Sequence, residues 1–286
     1  MKAKSVRADA RDFDADSVRI GDIEVAFLAA NRESENTPWV FVHGLGEDST
    51  SWAPQLQEMS RNRPTYAVDV RGHGRTTLGD ADGTLRQLSS DLIGFLETIG
   101  PSVCVGFSMG GAIVLAAAAQ RTDLVLHAIC VCTSTVVNSH FAERFRTRAL
   151  SIHRDGADVA RAALTENLNV NVLNKPEYFE DELIARLRAI GEGLGYANGA
   201  LAMSSLNDQP LTPQLANVGC PVNVLVGEFD ASCPQRAADI IVDAVPDGRS
   251  HTLPGVGHFV NIEDPELLTS GLIRLENASA SVENHL

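Results

Sequence analysis

Short apolar runs alternate with segments of helical spacing along most of this sequence. The runs at residues 39–44, 65–70 and 102–107 are largely apolar, which is typical of strands buried on both faces of a sheet. In residues 84–100, apolar side chains recur every three or four positions up to a final glycine, which predicts an amphipathic helix. Strand and helix signals alternate again over residues 221–276. Because alternating strands and helices need crossover connections, the pattern predicts an α/β fold on a mostly parallel sheet.

Two segments depart from this alternation. Residues 18–30 carry two β-like runs around a Gly-Asp pair, which predicts a hairpin. Residues 137–210 are rich in Ala, Arg, Leu, Glu and Asn and have no convincing strand, so we expect helices inserted between two strands as a cap. The predicted core is then residues 1–136 together with 211–286. The polar end of the chain, residues 277–286, is expected to fray.

Composition narrows the class of protein. With 286 residues, 44% of them hydrophobic, the chain is long enough to bury a sizeable core in one large domain with an insertion. Its formal net charge is −14. Nucleic acids and anionic membrane surfaces are themselves negative, so we expect neither as a partner.

Sequence signals also bear on location and on cofactors. The longest apolar run, residues 112–119, is far shorter than the roughly 20 residues of a membrane-spanning helix. The first 16 residues have no apolar segment of the kind that directs secretion. The five cysteines are odd in number and lack a C-x-x-C spacing, and no phosphate-loop, dinucleotide or H-E-x-x-H motif occurs. We therefore predict a cytoplasmic protein with no metal and no cofactor.

A serine lies between glycines where a strand signal gives way to a helix signal. Residues 104–111 read CVGFSMGG, so residues 106–110 fit the pattern G-x-S-x-G. A nucleophile at such a corner adopts a strained backbone conformation, and only very small neighbours let the strand and the helix pass so closely. The free N–H groups at the start of the helix favour developing negative charge there. Ser108 is therefore the candidate nucleophile.

Five segments, in this order, resemble the α/β-hydrolase family: VHGLGEDSTSW, DVRGHGRT, VGFSMGG, VGEFDASCP and GVGHFVNIEDPE. The resemblance covers roughly residues 18–276. It implies the α/β-hydrolase fold, an eight-stranded, mostly parallel sheet flanked by helices with an inserted helical cap. Because the nucleophile is Ser108 and not an aspartate, the pattern disfavours the haloalkane dehalogenases and epoxide hydrolases of this fold. Such a resemblance specifies the fold much better than the substrate.

A serine nucleophile needs a base, and the base needs an acid that orients it. The resemblance assigns the base to His258, which follows the last predicted strand. Asp230 and Glu228 both lie where the strand near residues 221–228 ends, the edge at which catalytic groups gather in open α/β sheets. The family pattern favours Asp230 over Glu228 as the acid.

A tetrahedral intermediate needs donors for its negatively charged oxygen. The N–H of Met109, one residue after the nucleophile, is the first candidate. By the resemblance, the second is the N–H of Leu45, which follows His43 and Gly44.

Side chains of the predicted cap are candidates for substrate binding. A guanidinium group can hold a carboxylate through two hydrogen bonds, and the segment is unusually basic for this acidic chain. These candidates are Phe141, Arg144, Phe145, Arg146 and Tyr196.

Together, these features predict a cofactor-independent serine hydrolase of a small carboxylic ester or lactone, similar to small esterases and 3-oxoadipate enol-lactonases. Its partner would be the small-molecule substrate, and the chain would be a monomer or a homodimer. Three alternatives remain open at this point. They are a carbon–carbon bond hydrolase of meta-cleavage products with the same triad, a perhydrolase, and a ligand receptor on a hydrolase fold.

Overall fold

Eight strands form one sheet in the computed structural model, which describes residues 12–172 and 175–283. The strands are β1 (Asp14–Ile20), β2 (Ile23–Ala30), β3 (Trp39–Val42), β4 (Thr65–Val68), β5 (Ser102–Phe107), β6 (Val125–Val131), β7 (Val222–Gly227) and β8 (Gly248–Leu253). Their order across the sheet is β1-β2-β4-β3-β5-β6-β7-β8.

The strand directions agree with the predicted pattern. Strands β1 and β2 form the antiparallel hairpin, and β2 also pairs antiparallel with β4. All other neighbours, from β4 through β3 to β8, run parallel. The predicted eight-stranded, mostly parallel sheet is therefore confirmed. Parallel direction places the C-terminal ends of β3, β5, β6, β7 and β8 along one edge.

Ten α-helices occur in the described part of the chain. They are α1 (Ala53–Met59), α2 (Leu85–Ile99), α3 (Met109–Gln120), α4 (Ser139–Asp155), α5 (Ala157–Asn171), α6 (Phe179–Ile190), α7 (Leu194–Ser205), α8 (Gln235–Ala244), α9 (Val260–Glu263) and α10 (Pro265–Glu283). The predicted amphipathic helix is α2, where the Thr84 hydroxyl accepts a hydrogen bond from the Gln87 N–H and caps the first turn.

Helices cover both faces of the sheet. On one face, α2, α3 and α8 bury an apolar cluster that includes Leu92, Ile113 and Ile241. On the other face, α1 and α10 bury Leu56 and Leu272 with the strands. Burial on both faces explains why the parallel strands are continuously apolar in sequence.

The segment predicted as a cap, residues 137–210, leaves the sheet after β6 and returns to it at β7. It contains α4 to α7 and, within its described residues, no strand. These helices share an apolar cluster of their own, which includes Ile152, Leu164 and Tyr196. Among the helices of residues 12–172 and 175–283, none has the length and apolar character that a membrane crossing requires.

The fraying expected of the polar C-terminal segment stays a prediction, although the segment is helical up to Glu283. Helix α10 continues through the polar residues to Glu283, because Leu268, Leu272 and Leu275 fix its first turns on the sheet and the alanines that follow favour helix. Residues 284–286 of that segment, and residues 1–11 of the predicted core, lie outside the described residues.

Two histidines flank an asparagine on neighbouring strands β6, β7 and β8. His127 Nε2 lies 2.8 Å from Asn223 Nδ2, and His251 Nε2 lies 2.7 Å from Asn223 Oδ1. An amide nitrogen only donates, so His127 accepts through Nε2 and is uncharged in this arrangement. Burial lowers the pKa of His127 to about 4.

We predict that His127 weakens the fold in mild acid. Its pKa is depressed in the folded chain, so between pH 6.5 and about 4 only the unfolded chain takes up this proton. In that window the free energy of unfolding should decrease as the pH decreases. The slope should be smaller in His127→Gln, by up to about 1.4 kcal/mol per pH unit. Urea unfolding from pH 7 to pH 4 measures this. His153→Gln, at an exposed position on α4, is the control and should follow the unmodified chain. Identical slopes for all three chains would contradict the prediction.

Candidate active site

The turn between β5 and α3 holds Ser108 in a strained conformation. Its φ is +50° and its ψ is −115°, backbone angles that residues other than glycine rarely adopt. The Ser108 N–H donates to the Val131 carbonyl at 2.8 Å. The Ser108 carbonyl accepts from the Gly111 N–H at 3.0 Å and from the Thr133 hydroxyl at 2.6 Å. Backbone and side-chain bonds from the end of β6 thus stabilise the strained turn from both sides.

The glycines around Ser108 are required by backbone contacts. A Cβ atom on Gly106 would lie 2.3 Å from the Gly110 carbonyl oxygen, and one on Gly110 would lie 2.2 Å from the Val42 carbonyl oxygen. Neither neighbour is a flexible side chain that could move aside. The sequence interpretation of these glycines as a steric requirement agrees with these contacts.

His258 and Asp230 meet Ser108 at the C-terminal edge of the sheet. Asp230 follows β7 and His258 follows β8, and both residues are buried, at 4% and 5% exposure. His258 Nδ1 lies 2.9 Å from Asp230 Oδ2, and His258 Nε2 lies 3.2 Å from Ser108 Oγ. The three predicted side chains therefore form one continuous hydrogen-bonded row, with the partly exposed serine at its open end.

Asp230 is held as a carboxylate. Burial by itself raises its pKa, but the charge of His258 and hydrogen bonds outweigh that effect and leave the pKa of Asp230 below its usual value. The N–H groups of Ser232 and Cys233 each donate to Asp230 Oδ1 at 2.8 Å, so the other oxygen faces His258. The competitor Glu228 is exposed and accepts from the Gly255 N–H instead.

The two backbone N–H groups predicted to hold an oxyanion, those of Leu45 and Met109, lie in turns at the ends of β3 and β5. Met109 begins α3, and Leu45 is the second residue of a turn over residues 44–47, whose third residue, Gly46, has a φ of +79°. Among residues 12–172 and 175–283, neither the Leu45 nor the Met109 N–H has a hydrogen-bond partner.

Helix α7 covers the side chains of these two residues. A Cβ atom on Gly199 would lie 2.8 Å from Leu45 Cδ1 and 2.9 Å from Met109 Sδ. The apolar side chains of Leu45 and Met109 and the glycine face of α7 are therefore neighbours.

The structure separates the candidate substrate contacts into two groups. Tyr196 is buried against the 44–47 turn, and Phe145 packs between two apolar clusters. Phe141, Arg144 and Arg146 lie at the surface instead.

At the surface, both arginines pair with carboxylates of α4 and α5. Arg144 pairs with Glu166 at 2.6 Å, and Arg146 pairs with Glu143 at 3.0 Å. The substrate-binding role of all five residues stays a prediction, and Tyr196 is the one that lies against the turn carrying Leu45.

Sequence analysis missed the role of the residues at the end of β6. Cys132 has a φ of +49°, and its thiol, the Asp230 carboxylate and the His258 ring present atoms that all lie within 4.8 Å of one another. Burial and the Asp230 charge raise the pKa of Cys132 well above its usual value, so the thiol stays protonated beside the Asp230 carboxylate. A protonated thiol is a poor metal ligand, and Asp230 and His258 are already hydrogen-bonded to each other. No motif indicates Cys132 or Thr133, since only strand register brings them here.

Comparison with known proteins assigns the family. The model of the alpha/beta hydrolase family matches residues 39–270. The chain therefore belongs to the alpha/beta hydrolase family, a family of hydrolytic enzymes. Among curated relatives, the pimeloyl-[acyl-carrier protein] methyl ester esterase of Edwardsiella ictaluri is 26% identical over 253 residues, which cover 82% of this chain and 90% of the relative.

Solved structures agree with the family assignment. A thermophilic esterase from Thermogutta terrifontis, with malate bound, superposes with a TM-score of 0.79 at 26% identity, over 93% of this chain and 98% of the esterase. The enol-lactonase from Burkholderia xenovorans has a TM-score of 0.78 at 23% identity, over 92% of this chain and all of the lactonase. The predicted fold class and family resemblance are confirmed.

We predict that Gly110→Ala destabilises the chain. The added methyl group would overlap the Val42 carbonyl, and overpacking of this kind should lower the free energy of unfolding by about 2 kcal/mol or more. Urea unfolding at neutral pH measures the change.

The matched control is Gly271→Ala, in the middle of α10. There the new Cβ would come no closer than 3.7 Å to its neighbours, and helix propensity should raise stability by up to about 1 kcal/mol. If Gly110→Ala were as stable as the unmodified chain, the steric interpretation of this turn would be wrong.

Proposed function

We propose that this alpha/beta hydrolase is a cofactor-independent serine hydrolase that cleaves small carboxylic esters or lactones. The observation that carries the proposal is the row of two hydrogen bonds, 2.9 Å and 3.2 Å long, from Asp230 through His258 to Ser108. It ends at a hydroxyl on a strained turn, directly before the Met109 N–H in the chain. Within the described residues, neither this N–H nor that of Leu45 has a hydrogen-bond partner.

In the first step, Ser108 Oγ attacks the acyl carbonyl carbon of the substrate. His258 Nε2 takes the Ser108 proton as the new C–O bond forms, and the imidazolium is stabilised by Asp230, whose bond to Nδ1 fixes the tautomer. The low pKa of Asp230 keeps this carboxylate charged, as the role requires.

The carbonyl electron pair moves onto oxygen and gives a tetrahedral oxyanion. The N–H groups of Leu45 and Met109 donate to that oxygen, and the start of α3 adds its positive dipole end. Removal of one such donor typically costs about 10²- to 10³-fold in kcat.

Collapse of the oxyanion breaks the bond to the leaving alkoxide, which takes the proton from His258. Water then attacks the acyl group on Ser108, His258 accepts the water proton and returns it to Ser108 Oγ, and the free acid leaves. The complete cycle consumes one water molecule for each ester or lactone bond that is cleaved.

The acyl group would lie against Leu45, Met109 and the α7 glycine, with Phe145 and Tyr196 nearby. This apolar lining supports a small, uncharged acyl part. The similarity to proteins described as esterases supports an oxygen ester as the bond.

We predict that Ser108→Ala abolishes turnover of short-chain esters and lactones. In the described part of the chain, no other nucleophilic side chain is hydrogen-bonded to His258 Nε2. A fluorophosphonate should label Ser108, as located by peptide mass spectrometry. Ser139→Ala, an exposed serine at the start of α4, is the control and should keep both activity and labelling.

Undiminished turnover in Ser108→Ala would overturn the proposal. Turnover of a dienoate diketone without turnover of esters would favour carbon–carbon hydrolysis. Ligand binding without multiple turnover would favour a receptor.

We predict that Asp230→Asn lowers kcat by about 10⁴-fold with little change in KM, because an amide stabilises the wrong histidine tautomer. Glu228→Gln is the matched control, since this carboxylate is exposed and contacts a backbone N–H, and its kcat should stay within about twofold. Steady-state kinetics with an ester substrate decide between the two carboxylates. Loss of activity in Glu228→Gln and not in Asp230→Asn would reverse the assignment.

A further inference from the structure

Three charged side chains lie buried beneath the candidate active site. Arg186 of α6 and Glu47 are both fully buried, and Arg186 Nη2 lies 2.6 Å from Glu47 Oε1. Arg186 Nε also lies 2.8 Å from Glu182 Oε1, one turn earlier on α6. Removing such charges from water costs several kcal/mol for each ion, and hydrophobic side chains often stabilise such a position equally well. Stability alone therefore does not account for the pair.

Glu47 closes the turn that presents the Leu45 N–H. The Glu47 N–H donates to the Gly44 carbonyl at 3.2 Å, and the Gly44 N–H donates to Glu47 Oε2 at 3.2 Å. Leu45 and Gly46 are the two central residues between these bonds. The direction of the Leu45 N–H thus depends on the position of the Glu47 side chain.

The same carboxylate reaches the segment that carries His258. Asn261 Nδ2 donates to Glu47 Oε1 at 3.1 Å. The Arg186 guanidinium lies 4.2 Å from the centre of the Phe259 ring, and the rings of Phe259 and His258 are 5.2 Å apart. One ion pair therefore contacts the 44–47 turn, the His258 segment and helix α6.

We propose that the Glu47–Arg186 pair is a positioning element. Through this pair, α6 of the predicted cap fixes the position of the Leu45 N–H relative to the His258 ring. The proposal rests on the proposed function, since it gives the Leu45 N–H its role as a donor to the oxyanion. The pair does not touch the reacting atoms; it acts through the 44–47 turn and Phe259.

The hydrogen-bond pattern makes Glu47→Gln an informative change. Both oxygens of Glu47 accept, Oε1 from Arg186 and Asn261 and Oε2 from Gly44. A glutamine amide must point its NH₂ group at one of these donors, whichever way it is turned. The turn or the α6 contact has to shift, although the side chain keeps its shape.

We expect kcat of Glu47→Gln to fall by about 10- to 100-fold, while KM changes by less than about threefold. This decrease in kcat is at most comparable to the decrease caused by loss of one oxyanion donor. Arg186→Lys keeps the charge without the planar fork, so its kcat should lie between that of the unmodified enzyme and that of Arg186→Met. Arg154→Met removes an exposed ion pair of the same cap and should leave kcat within about twofold.

A neutral triple variant separates positioning from stability. Glu47→Gln, Glu182→Gln and Arg186→Met together remove all three charges, so none of the three positions keeps a charge that has lost its partner. This variant should fold, as circular dichroism and melting would report, and should still show the reduced kcat. Its affinity for a boronic acid, whose adduct on Ser108 mimics the oxyanion, should fall in parallel with kcat. Full kcat in the folded triple variant, or a rise in KM alone with unchanged boronate affinity, would overturn the proposal.

Amide hydrogen exchange supplies a readout that needs no turnover. The peptide that contains residues 43–47 should exchange faster in Glu47→Gln than in Arg154→Met, and equal rates would also overturn the proposal. Failure of the proposed function would look different, because the unmodified chain would then not label at Ser108.

Discussion

The close approach of α3 to the ends of β3 and β5 is the constraint on which the site depends. Ser108 can occupy its strained turn only because Gly106 and Gly110 leave no side chain between these elements. Bonds from Val131 and Thr133 at the end of β6 then hold the serine backbone in place. The strain is therefore supported by β3, β5 and β6, which lie in the middle of the sheet. A hydroxyl fixed in this way loses little freedom on reaching its partner, which is a form of preorganisation.

Because neighbouring strands run parallel, residues that are far apart in the chain meet at the same edge of the sheet. Asp230 and His258 follow β7 and β8, so both arrive at the edge where Ser108 follows β5. Fine positioning comes from polar groups around them: N–H groups fix one oxygen of Asp230, and the Cys132 thiol lies beside the same carboxylate. On the opposite side, the buried Glu47–Arg186 pair joins α6 to the 44–47 turn. The core supplies the row of hydrogen bonds, and the inserted helices contact the turn next to it.

Family membership and the choice of substrate are separate questions for this molecule. The alpha/beta hydrolase family model matches residues 39–270, a range that includes helices α4 to α7. The sequence of α4 to α7 carries no motif that indicates a substrate. Because one fold can host many reactions, the function of a site has to be inferred from the contacts of the site itself.

The sequence by itself determined the alternation of strands and helices, the strained serine turn and, through five ordered segments, the family. These features are local: apolar period, glycine flanks and turn residues act over a few positions, so they can be read directly. The tertiary structure decided what depends on register between distant segments. It put Asp230, and not Glu228, against His258, and it turned Arg144 and Arg146 towards surface carboxylates. It also buried Glu47 with Arg186, 139 residues later in the chain. No local pattern encodes this pairing, because it arises only where α6 packs against the 44–47 turn and Phe259.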